Sequence, residues 1–443
     1  MKDQPKITVG IMDGAAELFG RLDGNFRGER VGPVSGQFSA KAEAGMVVLK
    51  DEAHREIARS LHIRLTADPR ATFRPGSGPA FTFFHVTIGA RFHWERTQDQ
   101  TFQGDLILRL RKDGTLAAVN EIPLEDYLTS VISSEMSGTA PIEFLKAHAM
   151  LSRSWLLAAL DRKKKGQEKG SSPWEATQGE VRRWYDREDH DLFDVCGDDH
   201  CQRYQGITKI GSKQAEEAVR ETRGRVITYQ DEICDARYSK ACGGITEDFG
   251  TAWEDKRVPY LTSIPDASAP HRPIGTEEEA SAWILSYPEV YCNTKDKGLL
   301  GRILPDFDLE TKGFFRWTVE YSRTELEEIL KEKSGFDFGT LQEMIPLRRG
   351  PSGRISRLKI VGSKRSMIVG KELEIRRWLS RSHLYSSAFV VTMEGGQVIL
   401  RGAGWGHGVG LCQIGAAVMA DRGFSAEEIL SHYFRGVEVK TIY

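Results

Sequence analysis

The chain has 443 residues, with 61 lysines and arginines against 63 aspartates and glutamates, for a formal net charge of −2. Hydrophobic residues at 40% and charged residues at 28% suffice to bury a core, which excludes wholesale disorder. A protein that lives on nucleic-acid phosphates carries a basic excess, and this chain has none overall, so no nucleic-acid partner is expected.

At about 150 residues per domain the length suggests two or three units. No window approaches the ~18 consecutive apolar residues of a membrane span, so no transmembrane segment is expected. Met1 to Pro5 lack the apolar run of a secretory signal. Six cysteines in this length do not make a disulfide scaffold.

From Ile7 to about Arg111 the text reads as strands. Ile7–Ile11, Phe81–Val86 and Leu106–Leu108 are β-rich, with glycine-containing breaks between them. The period then turns helical. Pro123 suits a first helical turn, Glu125 and Asp126 suit the positive dipole end, and Leu124, Leu128, Val131 and Ile132 form an apolar stripe. A second helix follows Pro141, with Ile142, Leu145, Ala149, Leu156 and Leu160 inward, and ends in Arg162-Lys163-Lys164-Lys165-Gly166. That basic run reads as a solvated helix terminus.

Residues 166 to 180 are polar and turn-rich, a loop by composition. Ser212–Arg223 reads as a helix stopped by Gly224, followed by a hairpin of Arg225–Thr228 and Ile233–Ser239. A charged segment, 268–345, carries helical pieces that include Thr324–Leu330 and reads as an insertion or subdomain. Strands near Ile355–Val361 and Phe389–Thr392 precede a glycine-dense run. Two helices close the chain, the last opened by the capping box Ser425-Ala426-Glu427-Glu428 and stopped at Gly436.

Three places could carry chemistry. Glu135 lies four residues after Val131 and seven after Leu128, on the apolar face of its helix. Withdrawal from water there favours the protonated carboxyl that a general acid needs, and Ser133, Ser134, Ser137 and Gly138 leave room beside it. The alternative is a helix-end glutamate that turns into water.

His190, Cys196, His200 and Cys201 form an H-x5-C-x3-H-C pattern. Two thiolates and two imidazoles match a closed, structural zinc site, and Asp191, Asp194, Asp198 and Asp199 could orient the imidazoles. A disulfide or unrelated free thiols are the competing readings.

The third place is Arg401-Gly402-Ala403-Gly404-Trp405-Gly406-His407-Gly408-Val409-Gly410. Alternating glycines admit either a ligand close to the backbone or turns where side chains would clash. No Gly-Lys-Ser/Thr follows, which argues against a phosphate loop. Trp405 would offer an aromatic face for a sugar, with His407 as a polar contact. H-E-x-x-H and G-x-S-x-G are absent, and Cys242, with no identifiable base, reads as structural rather than nucleophilic.

Taken together, these blocks resemble the SpoIID/LytB family of peptidoglycan lytic enzymes and amidase enhancers. The resemblance runs through Ile122-Pro123-Leu124-Glu125-Asp126-Tyr127-Leu128, Ser134-Glu135-Met136, Leu145-Lys146-Ala147-His148-Ala149 and Ser152-Arg153-Ser154-Trp155. It continues in Tyr238-Ser239, Cys242-Gly243-Gly244-Ile245-Thr246, Gly404 to Ala416 and His432-Tyr433. It implies an α+β fold, with a SpoIID-like catalytic region at 116–267 and 346–443. The β-rich N-terminal domain (1–115) and the 268–345 segment, an inserted α/β subdomain, lie outside that region.

The resemblance implies a lytic transglycosylase acting on glycan strands stripped of stem peptides, with Glu135 as the acid. It also implies zinc at His190, Cys196, His200 and Cys201. Tyr238, Ser239, Trp405, His407 and Gln413 are the expected cleft residues. Such a substrate implies the cell envelope or periplasm. The competing readings are a non-catalytic module that stimulates an amidase, as in the LytB branch, and a zinc hydrolase, which four protein ligands would disfavour by closing the metal's coordination shell.

Overall fold

Alternating burial along the first strands sets the architecture. In Glu17–Gly28, Leu18, Leu22 and Phe26 are buried while Glu17, Phe19 and Arg21 face outward, the two-residue period of a sheet with one covered face. The computed structural model describes residues 4–28, 31–67, 77–90, 95–165, 174–185, 190–270, 274–311 and 313–443. Its largest sheet has 11 strands, all but one drawn from the N-terminal part of the chain. Phe81 stacks on Phe102 at 5.5 Å and meets Phe26 and Phe83 edge-on, which fills the covered face.

Strand Leu116–Pro123 runs antiparallel to Lys6–Ala15 and passes directly into helix Leu124–Glu135. Pro123 stands at that helix's N-cap, and all four residues of the expected apolar stripe are buried. Thr129, Ser133 and Ser134 are buried too, and their hydroxyls donate to carbonyls four residues back. The long helix Ile142–Lys164 packs against it. A buried ion pair joins the two, with the Arg153 guanidinium donating to both Glu125 oxygens at 3.0 and 2.6 Å.

Helix Lys213–Glu221, capped by Ser212, and the hairpin of Arg225–Tyr229 with Glu232–Ile233 follow the sequence reading. The expected second strand does not continue to Ser239, however. Tyr238–Ser239 leaves the hairpin and pairs in parallel with Leu411–Cys412. The expected loop at 166–180 also differs, because Trp174–Ala176 and Glu180–Arg183 form a short hairpin; residues 166–173 lie outside the described residues. Glu180–Arg183 gains its order from a distant partner, Ser366–Gly370, which local composition cannot reveal.

A second core gathers Val181 with Trp317, Tyr321, Leu326, Ile329, Leu358, Trp378, Phe389 and Leu400. Strand Arg316–Ser322 there pairs with Gln397–Ala403, which in turn pairs with Phe389–Glu394. Helices Gln413–Asp421 and Ala426–Tyr433 return to the first core, with the capping box at Ser425 and Glu428 present. A last strand, Glu438–Thr441, pairs with Arg225–Tyr229 and was not expected from the sequence. Ten strands among the described residues precede the first helix, and the sheet pairings throughout are mostly antiparallel, which makes the chain α+β. Among the described residues no helix is long and apolar enough to cross a membrane.

Candidate functional site

Glu135 is the last residue of its helix and only 7% exposed. Its Oε1 accepts from the Tyr238 hydroxyl at 2.8 Å and from the Arg203 backbone N–H at 3.0 Å. Burial and the adjoining Glu135 carboxyl hold the Tyr238 phenol well above its usual pKa, so Tyr238 remains a donor. Helix periodicity therefore places the acid inward, and two elements remote in sequence close over it.

Two cations frame the acid, each tied to a carboxylate. Lys240 Nζ donates to the Glu135 carbonyl at 2.8 Å and pairs with Asp308 at 2.7 Å. The Arg203 guanidinium pairs with Asp199 and lies 3.8 Å from Asp308. Burial raises the Asp199 pKa to about 6 in spite of Arg203. Both neighbouring carboxylates are thus engaged by cations.

On the far side of Tyr238 stands His148, fully buried, its ring 4.9 Å from the phenol ring in an edge contact. Its Nδ1 meets Ser152 Oγ at 3.2 Å and its Nε2 meets Gln413 Nε2 at 3.0 Å. Burial lowers the His148 pKa to about 4, so the imidazole is neutral and its Nε2 can accept from the Gln413 amide. A continuous chain of contacts runs Glu135, Tyr238, His148, Gln413. Two of the expected cleft residues belong to it.

Ser239 is buried beside Tyr238, next to the glycine run: a Cβ on Gly406 would lie 3.0 Å from its own Cβ. Trp405 stacks on Tyr385 at 4.0 Å and meets Phe314 edge-on at 4.9 Å, so one face of its indole is already covered. His407 turns into its own loop, its Nδ1 accepting from Val409 N–H at 3.0 Å and its ring against Trp253. Desolvation, then Arg237, Arg354 and Arg376, hold His407 well below the usual imidazole pKa, so it is neutral. The glycines accommodate this packing. Gly408 has φ +76° and the Arg354 guanidinium lies 2.4 Å from where its Cβ would be. What approaches the backbone so closely is a side chain of the protein itself.

His190, Cys196, His200 and Cys201 converge, their ligand atoms all within 4.8 Å of one another. Cys196 is fixed by a parallel pairing of Val195–Cys196 with Val9–Gly10, and Gly10 lacks a Cβ where the Phe193 ring sits. Cys201 Sγ lies 3.4 Å from both His190 Nε2 and His200 Nδ1. Asp198 accepts from the Gly89 and Ala90 amides, and Asp194 from Thr8, so these aspartates hold backbone rather than imidazoles. A cavity of about 430 Å³ adjoins the cluster, lined by residues that include His190, Cys196 and Tyr204; Glu135 is not in its wall.

The cluster and the acid are coupled through the chain that joins them. Gln202 follows Cys201 directly, its amide between Tyr127 OH and the Ser152 carbonyl, and the next residue, Arg203, donates to Glu135. Gln202, Arg203, Lys240 and Asp308 were not singled out as functional by the sequence, and Asp199, expected to orient an imidazole, pairs with Arg203 instead. Only polar or charged character in a buried setting marks them, and burial is not visible at isolated positions. A second group, Cys242, Asp266, Cys292 and Cys412, also has ligand atoms within 4.8 Å and is entirely buried.

Comparison with known proteins supports the resemblance. Residues 112–229 match the Stage II sporulation protein family, and residues 247–410 match a domain of unknown function (DUF8618). The chain is 25% identical over 322 residues to Stage II sporulation protein D of Bacillus amyloliquefaciens, covering 73% of this chain and 75% of that one. It is 24% identical over 324 residues to Stage II sporulation protein D of Bacillus subtilis, covering 73% and 76%. With the amidase enhancer of Bacillus subtilis it shares 24% identity over 238 residues, 49% of this chain and 31% of the relative. These matches support the SpoIID/LytB family for the chain.

Proposed function

We propose that the protein is a peptidoglycan lytic transglycosylase that cleaves the bond between N-acetylmuramic acid and N-acetylglucosamine in denuded glycan strands. The observation that carries this reading is the buried Glu135, whose carboxyl oxygen is aligned by Tyr238 and the Arg203 amide, while Asp199 and Asp308 are engaged by cations. Hydrolases need a second carboxylate free to activate water or to attack the sugar. A transglycosylase does not. Glu135 protonates the departing glycosidic oxygen, the muramic C6 hydroxyl attacks C1, and Glu135 takes the hydroxyl proton. The products are a 1,6-anhydro-muramic end and a new 4-hydroxyl on the departing glucosamine, with the acid regenerated.

Zinc fits the donor set of His190, Cys196, His200 and Cys201, two borderline nitrogens and two thiolates. Held by these four residues it would supply no chemistry to the sugar and would fix the loop from which the Arg203 amide reaches Glu135. We read Tyr238, Ser239 and Gln413 as the cleft wall nearest the acid. Trp405 would present its uncovered edge to the glycan, and His407 would hold the loop. We keep as part of the proposal a SpoIID-like region at 116–267 and 346–443 with 268–345 between its parts, although Arg316–Ser322 of that segment shares a sheet with Gln397–Ala403.

The test is mass spectrometry of denuded strands after incubation with purified protein. Anhydro-muramic ends support the reading; reducing ends would indicate use of water. With Glu135→Gln, cleavage should fall by ~10²–10⁴-fold while glycan binding persists. The LytB-type alternative draws support from the closed state of Glu135, at 7% exposure. In that case the wild type would bind strands, release no product, and stimulate an added amidase.

A further inference from the structure

We propose that Cys242, Cys292, Cys412 and Asp266 form a second metal centre, buried and structural, that takes zinc. The inference does not depend on the lytic reading. None of the four residues is more than 3% exposed, and they come from four separate stretches of chain. Cys242 follows the strand that carries Tyr238, Asp266 lies in the loop bridged by Ile245 and Pro265, Cys292 follows helix Glu277–Leu285, and Cys412 caps helix Gln413–Asp421.

The spacing discriminates among the fates open to close thiols. Cys242 Sγ and Cys292 Sγ are 3.8 Å apart. A disulfide requires about 2.05 Å. Two thiolates on one tetrahedral zinc, each at about 2.3 Å, stand about 3.8 Å apart, so the observed separation is the edge of a zinc tetrahedron. Backbone amides are already aimed at the sulfurs, Cys242 N–H at Cys412 Sγ (3.2 Å) and Gly244 N–H at Cys242 Sγ (3.4 Å).

Asp266 supplies the second argument. It is fully buried, yet its partners are neutral: the Tyr433 hydroxyl at 2.5 Å on Oδ1, and the Tyr291 and Cys292 amides on its carbonyl and Oδ2. Among the described residues no lysine or arginine pairs with it. A carboxylate out of water without a cation is strongly disfavoured, and a metal ion is the counter-charge this geometry admits. Binding would release the three thiol protons, and the resulting negative shell faces two guanidiniums. Arg354 donates to the Cys242 carbonyl and Arg316 to the Gly243 carbonyl, each at 3.0 Å. A closed S3O shell leaves no open position. Its work is to tie the end of the glycine run to the strand that presents Tyr238.

The experiment counts metal in the full chain, purified under reducing conditions and dialysed against zinc-free buffer, by elemental mass spectrometry. Wild type should hold two zinc ions per chain. The Cys196→Ser/Cys201→Ser variant should hold one, Cys292→Ala should lose one, and Cys234→Ser, a buried cysteine outside both groups, should keep two. Should Cys292→Ala not fold, cobalt substitution in the Cys196→Ser/Cys201→Ser variant decides: sulfur-to-cobalt charge-transfer absorption supports the centre, and its absence overturns it. One zinc per wild-type chain that Cys292→Ala retains overturns it as well, as does a Cys242–Cys292 disulfide in the peptide map of protein purified without reductant.

Discussion

Glu125→Gln isolates the contact that anchors the acid-bearing helix. Glu125 sits in the first turn of that helix, and its carboxylate receives both the Nε and Nη2 of Arg153, a guanidinium with 0% side-chain exposure. Arg153 also donates to the Arg225 carbonyl, and Glu125 receives the Tyr443 hydroxyl, so one pair ties two helices, a strand and the last residue together. The amide keeps the shape but leaves the guanidinium buried without a counter-charge, a defect of about 3–5 kcal/mol. At a urea slope of about 3 kcal/mol per M, the unfolding midpoint should fall by about 1–2 M. Tryptophan emission during urea titration reads it directly. The double variant Glu125→Leu/Arg153→Met removes both charges and should lose less than the two single changes together, with a coupling of about 2–3 kcal/mol. A midpoint shift under about 0.3 M for Glu125→Gln, or strict additivity in the double variant, would refute the argument.

Other outcomes follow from the same contacts. Because the His148 pKa is about 4 when folded, against 6.5 when exposed, the unfolded chain takes up its proton first as pH falls. The histidine therefore drains stability between pH 6.5 and 4, by about 3 kcal/mol in all, and His148→Gln should show a shallower acid limb in melting temperature against pH. Gly408→Ala should destabilise by about 2–4 kcal/mol, since φ is +76° and Arg354 occupies the added methyl's space; calorimetry would show it, and an unchanged melting temperature would contradict the packing. Cys196→Ser should lower the melting temperature and the bound zinc together, while cleavage per folded molecule changes less; a metal-free wild type of full stability would exclude the His190 site.

Helices announced themselves because proline, capping residues and the 3.6-residue period are local. Pro123, Ser212 and the Ser425 box stand where the sequence put them. The convergence of His190, Cys196, His200 and Cys201 was legible because they are near neighbours in the chain. What escaped was whatever depends on a remote partner. Tyr238–Ser239 reads as the tail of a hairpin until Leu411–Cys412 is laid beside it. Trp405 reads as an open aromatic face until Tyr385 covers it. The donor from residue 203 to Glu135 is a backbone amide, which no side-chain pattern can signal. Cys242, Cys292 and Cys412 look like stray cysteines because their spacings mean nothing until the fold closes.

The parallel pairing of Tyr238–Ser239 with Leu411–Cys412 also sets a clock on biosynthesis. The ribosome must add about 170 residues after Cys242 before Cys412 exists. At roughly 5–20 residues per second that is on the order of 10–30 s. Through that interval Glu135 has been made, but the strand that supplies its tyrosine donor has no neighbour to register against. A chain that stalls or is truncated in this interval leaves the acid without its fixed wall. The order of synthesis thereby withholds the assembled centre until Cys412 has been added.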